Sequence, residues 1–141
     1  MKKAVVDASV ALKWFVPEVH SAAAARLLDG EVALYAPDLI ASEFGNTVWK
    51  KVRRRELSLD EAQEILDAFT RLPLETHRSA ALLTAAFTLA VDLDRSVYDC
   101  LYLAAAVAEE CALVTADAKF HAAVAASPLA LHIRWVEDEL F

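Results

Sequence analysis

Short apolar runs alternate along this chain with longer segments whose apolar residues recur at helical spacing. Lys3-Ala-Val-Val-Asp7 is the first such run, and it ends on a carboxylate, which suits a buried strand. Val32 to Ala36, Leu74 to His77, Ala112 to Thr115 and His132 to Val136 read as further strands. Between them the pattern predicts helices over Ser9–Val16, from Pro17-Glu18 to a stop at Gly30, and from Pro37 at a favoured first-turn position to Arg54. Ser58-Leu-Asp-Glu61 is a capping box. It opens a helix whose apolar face carries Ala62, Ile65, Leu66 and Phe69. Helices over Arg78–Ala90, from a Ser96 cap to Glu110, and over Asp117–Ala126 complete the series.

Alternation of this kind predicts an α/β fold with a central, mostly parallel sheet of about five strands and helices on both faces. The 141 residues suit a single domain spanning 1–141. Alanine supplies about a fifth of the residues and lets helices pack closely on a sheet, while two glycines and four prolines leave little room for long loops. No apolar run approaches the roughly 20 residues of a membrane span. Asp7 and Lys13 interrupt what would otherwise resemble a signal peptide. These features predict a cytoplasmic protein with no membrane partner.

Cysteine and histidine usage points away from disulfides and zinc. Cys100 and Cys111 fall in one predicted helix, where eleven residues of rise separate them by about 16 Å, far beyond disulfide reach. His20, His77, His121 and His132 are scattered without metal-ligand spacing. The net charge of −7 argues against a general nucleic-acid binder, unless a local basic patch compensates. Lys50-Lys-Val-Arg-Arg-Arg55 is such a patch, made of Lys50, Lys51, Arg53, Arg54 and Arg55. It can complement the dipole at a helix C-terminus or contact an RNA backbone, and the sequence leaves both roles open.

Four acids occupy positions where chemistry is possible. Asp7 closes the first strand and Asp117 follows the fourth, at the strand ends outside which open parallel sheets bind ligands. Either could equally serve as a helix N-cap. Asp99 is the third residue after the Ser96 cap, at the mouth of an almost wholly apolar helix, where it could also complete a capping box. Glu43 lies three residues before Asn46, flanking the stripe Ile40-Phe44-Val48, and taken alone reads as a solvated helix position. Considered together, the four make a sharper case. Two carboxylates about 4 Å apart repel by roughly 4 kcal/mol at an effective dielectric near 20. A cluster of them takes up protons or binds cations, and an all-oxygen site favours Mg2+ or Mn2+. Such sites hydrolyse phosphodiesters through a metal-activated water.

The order of four motifs resembles the PIN domain, most closely that of VapC toxins from toxin–antitoxin pairs. The motifs are Val5-Val-Asp7-Ala-Ser9, Pro37…Glu43-x-x-Asn46, Tyr98-Asp99-x-Leu-Tyr-Leu-Ala-Ala and Leu113-Val-Thr115-Ala-Asp117, and they span essentially the whole chain. The resemblance implies a three-layer α/β/α sandwich that gathers Asp7, Glu43, Asp99 and Asp117 as catalytic, metal-binding carboxylates. It further implies support from Ser9, Asn46 and Thr115, an Mg2+ or Mn2+ cofactor, and an RNA substrate cut by a metal-dependent endoribonuclease. A cognate antitoxin and a homodimer are the implied partners. Asp92 and Asp94 fall outside the motifs and read as loop residues.

Other classes fit less well. A phosphotransferase with Asp7 as nucleophile would need a second acid two residues on, where Ser9 stands, or an acidic pair after the first strand. A PIN-fold RNA- or protein-binding module without activity would be marked by loss of one of the four acids, and all are present.

Overall fold

The computed structural model describes residues Met1–Phe141. Five strands, β1 (Lys2–Val6), β2 (Val32–Pro37), β3 (Leu74–His77), β4 (Ala112–Thr115) and β5 (Ile133–Trp135), form one sheet in the order β3-β2-β1-β4-β5. Every pairing is parallel. Seven helices connect them: α1 (Ala8–Leu12), α2 (Ser21–Ala25), α3 (Leu39–Arg53), α4 (Leu59–Thr70), α5 (Ser79–Leu93), α6 (Val97–Ala108) and α7 (Ala118–Ala125). No helix is long and apolar enough to cross a membrane.

Chain order dictates the layers. From β1 the chain steps to β2 and β3 in one direction, then returns across the sheet to β4 and β5 on the far side. Right-handed crossovers put α1 to α4 on one face and α5 to α7 on the other. The contacts agree: α1 packs on α3 and α3 on α4, while α6 lies over β1, β2 and β4 and carries α5 on its outer side. The expected α/β/α sandwich is therefore present. Connections leave β1 and β4 in opposite directions, so a crevice opens between their carboxyl ends.

The central elements owe their positions to burial on all sides. Ala4, Val5 and Val6 of β1 are buried, as are the seven consecutive residues Cys100 to Ala106 of α6. Small side chains in α6 let it approach the sheet closely. On the opposite face Phe44 is fully buried, stacked on Phe69 at 4.2 Å and edge-on to Phe15 at 5.7 Å. These contacts clamp α3 between the sheet, α1 and α4.

Several element boundaries differ from those predicted by pattern. The helix expected through Val16 ends at Leu12 and continues to Val16 as single turns, and Pro17 disfavours helix at Val16 itself. The next helix begins only at Ser21, after left-handed His20 (φ 68°), with the Ser21 hydroxyl accepting from the Glu18 N–H at 3.0 Å. Pro37 closes β2 beside His77 rather than opening α3. Leu66 faces solvent, whereas Ala62, Ile65 and Phe69 face the core. Asp92 lies within α5, which runs to Leu93, and Asp94 stops that helix in a left-handed conformation (φ 53°).

The cysteines also separate. Left-handed Glu110 (φ 54°) follows the end of α6, leaving Cys111 outside the helix that holds Cys100. Both thiols are free, and burial pushes each up to about 11, so they stay protonated.

Phe44 is the largest fully buried side chain and sits next to Glu43 in α3. Truncation by Phe44→Ala is expected to cost about 3–5 kcal/mol of stability, read from urea denaturation midpoints. A Leu66→Gln change on the outer face of α4 is expected to stay within about 0.5 kcal/mol of wild type in the same measurement.

Candidate functional site

Asp7 is the first residue after β1 and caps α1. Its Oδ1 accepts the Val10 N–H at 2.9 Å and the Ser9 hydroxyl at 2.7 Å, and its Oδ2 accepts the Thr115 hydroxyl at 2.9 Å. Thr115 ends β4 with no solvent exposure, and its Oγ1 also accepts the Asp117 N–H at 3.0 Å. Asp117 then caps α7, taking the Phe120 N–H on Oδ1 at 3.0 Å. Capping and cleft position, which compete in the sequence, coexist in the fold. In each case the cap takes Oδ1, while Oδ2 accepts from Thr115 in Asp7 and lies 3.5 Å from Arg95 in Asp117.

The remaining acids come from helices on opposite faces of the sheet. Glu43 projects from α3 and receives the Tyr102 hydroxyl on Oε1 at 2.6 Å. Asp99 lies in the first turn of α6, where Ser96 accepts its backbone N–H at 3.1 Å. Its carboxylate does not reach back to the cap as a capping box would require. Oδ2 instead accepts from Arg95 Nη2 at 3.0 Å, and the same nitrogen lies 3.5 Å from Asp117 Oδ2.

All four acids line one cleft of about 350 Å³, with Ser9, Asn46, Lys50 and Tyr102 also on its walls. A larger hollow of about 530 Å³ opens at the opposite ends of the strands, around Lys3, Cys111 and His132. It lacks a comparable set of convergent acids, so the smaller cleft is the candidate site.

Crowding shapes the electrostatics. Asp7 is raised above the usual carboxylate range, first by burial and further by the charge of Asp117, against the hydrogen bonds from Ser9, Val10 and Thr115. Glu43 is also raised, first by burial and then by Asp7 and Asp99, against the hydrogen bond from Tyr102. Tyr102 is pushed strongly upward by burial and by Glu43, so its hydroxyl remains a donor.

The donor set suits a hard divalent cation, because every candidate ligand is a carboxylate oxygen. Glu43 Oε2 and Asp99 Oδ1 remain open beyond the contacts made by their partner oxygens. As arranged, however, no three acidic, histidine or cysteine side chains are drawn together in a geometry that would hold a metal ion. The Arg95 guanidinium lies between Asp99 and Asp117.

The cations of the basic run make different contacts. Lys50 lines the cleft, while Lys51 is committed to ion pairs with Glu56 at 3.4 Å and Glu18 at 3.7 Å. Arg53 lies over the Trp49 ring at 5.3 Å, and Arg54 and Arg55 stand exposed beyond the helix. Two residues that contact the cleft acids, Tyr102 and Arg95, have no role assigned from sequence. Tyr102 was legible in principle, being three residues after Asp99 on the same helix face, and Arg95 four residues before it.

The PIN domain family matches residues 4–125 of the chain. Ribonuclease VapC3 of Pyrobaculum aerophilum is 39% identical over 106 residues, covering 74% of this chain and 81% of that protein. Ribonuclease VapC9 of Mycobacterium tuberculosis is 32% identical over 113 residues, covering 80% of this chain and 84% of that protein. Two crystal structures share the fold. VapBC2 from Rickettsia felis, bound to a promoter DNA fragment, has a TM-score of 0.67 at 19% identity and covers 94% of this chain and 98% of that one. PAE2754 from Pyrobaculum aerophilum has a TM-score of 0.68 at 22% identity, covering 96% of this chain and 85% of that one.

The raised Asp7 and Glu43 have a consequence for stability. A carboxyl raised in the folded state holds its proton to higher pH than the unfolded chain does. Stability therefore falls as pH climbs from the ordinary carboxylate values through the raised ones. In chelator-treated protein, this contribution should lower the melting temperature as pH rises through that window. Asp7→Asn should flatten the dependence, and thermal melts of the two proteins across pH check it.

Proposed function

The chain belongs to the PIN domain family, in its VapC branch, and from that membership we propose that it is a metal-dependent endoribonuclease, the toxin of a toxin–antitoxin pair. The observation that carries the reading is the cleft lined by Asp7, Glu43, Asp99 and Asp117 at the switch point of the sheet. On this reading these four are the catalytic, metal-holding carboxylates, with Ser9, Asn46 and Thr115 in support. Mg2+ or Mn2+ held by them would supply the positive charge that makes water a nucleophile at neutral pH and stabilises the leaving oxygen.

The chain's own residues supply orientation. Hydrogen bonds from Ser9, the Val10 N–H and Thr115 hold the Asp7 carboxylate in one rotamer. Tyr102 does the same for Glu43 while leaving Oε2 open to the cleft. Glu43 Oε2 takes a proton from the attacking water, a role that suits a carboxylate of raised proton affinity. The water oxygen bonds to phosphorus, the bond from phosphorus to the leaving ribose oxygen breaks, and that oxygen gains a proton from solvent. Lys50 at the cleft wall contacts the RNA backbone, with Lys51, Arg53, Arg54 and Arg55 extending the field beyond it.

The partners follow the same reading. A cognate antitoxin neutralises the enzyme in the cytoplasm, and the chain acts as a homodimer. Support for the dimer comes from α5, where Leu83, Phe87 and Val91 repeat every fourth residue and are 53%, 60% and 67% exposed. Such a stripe is self-complementary about a twofold axis.

Three outcomes are expected. Wild-type protein cleaves RNA with Mg2+ or Mn2+ and stops on addition of EDTA, and gel assays that find RNA intact with both metals would favour the non-catalytic module. Asp7→Asn lowers single-turnover cleavage by about a hundredfold or more while keeping the fold by circular dichroism. Phe87→Glu shifts the protein from dimer to monomer in light scattering.

A further inference from the structure

Arg95 is the cation paired with two of the four cleft acids, and its setting is unusual for an arginine that serves only the fold. It follows the left-handed Asp94 that ends α5 and precedes the Ser96 cap of α6. Its guanidinium lies over the Phe120 ring at 5.2 Å and is only 23% exposed. A single nitrogen, Nη2, serves both Asp99 Oδ2 at 3.0 Å and Asp117 Oδ2 at 3.5 Å. Nε is buried and has no hydrogen-bond partner.

A guanidinium built for permanent pairing presents two parallel N–H groups to one carboxylate. Arg95 instead spreads one nitrogen over two acids and leaves a buried donor idle. That arrangement neutralises charge without locking geometry. Asp99 and Asp117 repel each other less in its presence, so the metal-free chain can keep its acids close together. Asp117 Oδ2, which the helix cap leaves free, is thereby taken by Arg95, and Asp99 is left with Oδ1 alone for a divalent cation.

We propose that Arg95 is a built-in competitor for the metal: its guanidinium holds Asp99 Oδ2 and Asp117 Oδ2 in the metal-free protein and must release them for a divalent cation to bind. This rests on the metal-dependent reading above. The exchange sets the metal affinity, so the chain stays folded but unloaded when the cation is scarce.

The test is Mn2+ binding to the full chain by isothermal titration calorimetry. Arg95→Ala should bind Mn2+ about tenfold more tightly than wild type, because the competing charge is gone. Arg95→Lys, which keeps a cation, should stay within about threefold of wild type. Arg71→Ala removes an equal charge from the exposed end of α4 outside the cleft and should leave the affinity unchanged. Equal or weaker binding by Arg95→Ala overturns the proposal and leaves Arg95 a structural or RNA-contacting residue. Failure of both wild type and Arg95→Ala to bind Mn2+ overturns the metal reading itself, which is a separable result. Unmodified protein gives a second measurement. On titration with diamagnetic Mg2+, the Arg95 Nε–H resonance should shift and exchange faster with water, and an unchanged signal at saturating Mg2+ overturns the proposal.

Discussion

Mutual repulsion among four carboxylates is the constraint around which this structure is organised. Acids brought together in a partly desolvated cleft favour an expanded or protonated state unless something opposes them. Opposition comes from several directions at once. Asp7 accepts three hydrogen bonds, Asp117 accepts a helix N–H, Glu43 accepts a phenol, and Arg95 spans Asp99 and Asp117. Burial first, and the neighbouring charges after it, keep Asp7 and Glu43 raised nonetheless, so the cleft still favours a proton or a cation.

The scaffold meets that demand through topology and packing. Parallel strands with divergent connections create the crevice, and the same strand ends start α1 and α7 with aspartate caps. Helix α6 is buried nearly all round, which fixes Tyr102 and the first turn bearing Asp99 relative to β1 and β4. On the other face the Phe15, Phe44 and Phe69 cluster holds α3, and with it Glu43. The catalytic rotamers proposed for the cleft thus depend on two apolar cores, one on each side of the sheet. Small residues in α6 are part of the same logic, because a bulkier helix would stand farther from the strands and carry Tyr102 away from Glu43.

Local patterning made much of this legible. Strand runs ending in Asp7 and Thr115, the Ser58 capping box, and the Ser96 cap correspond to elements in the fold. Boundaries were less legible where a local preference had two solutions. Pro37 can open a helix or close a strand, and pairing with His77 selects the second. Ser96 with Asp99 resembles a capping box, yet Arg95 draws the carboxylate away from the cap. The sequence leaves the role of Lys50 to Arg55 open, and the fold adds that Lys51 pairs with Glu18 and Glu56 while Arg53 lies over Trp49.

By itself the sequence determined the alternation of strands and helices, the caps, and the places of Asp7 and Asp117 at strand ends. Those features depend on neighbours a few positions away, where periodicity and hydrogen-bonding preference act directly. Only the tertiary structure decided which partners engage each acid, that Tyr102 bonds Glu43, and that Arg95 bridges Asp99 and Asp117. Glu43 and Tyr102 are separated by 59 positions and Arg95 and Asp117 by 22. Contacts at such separations arise from sheet order and helix packing, which no local pattern encodes.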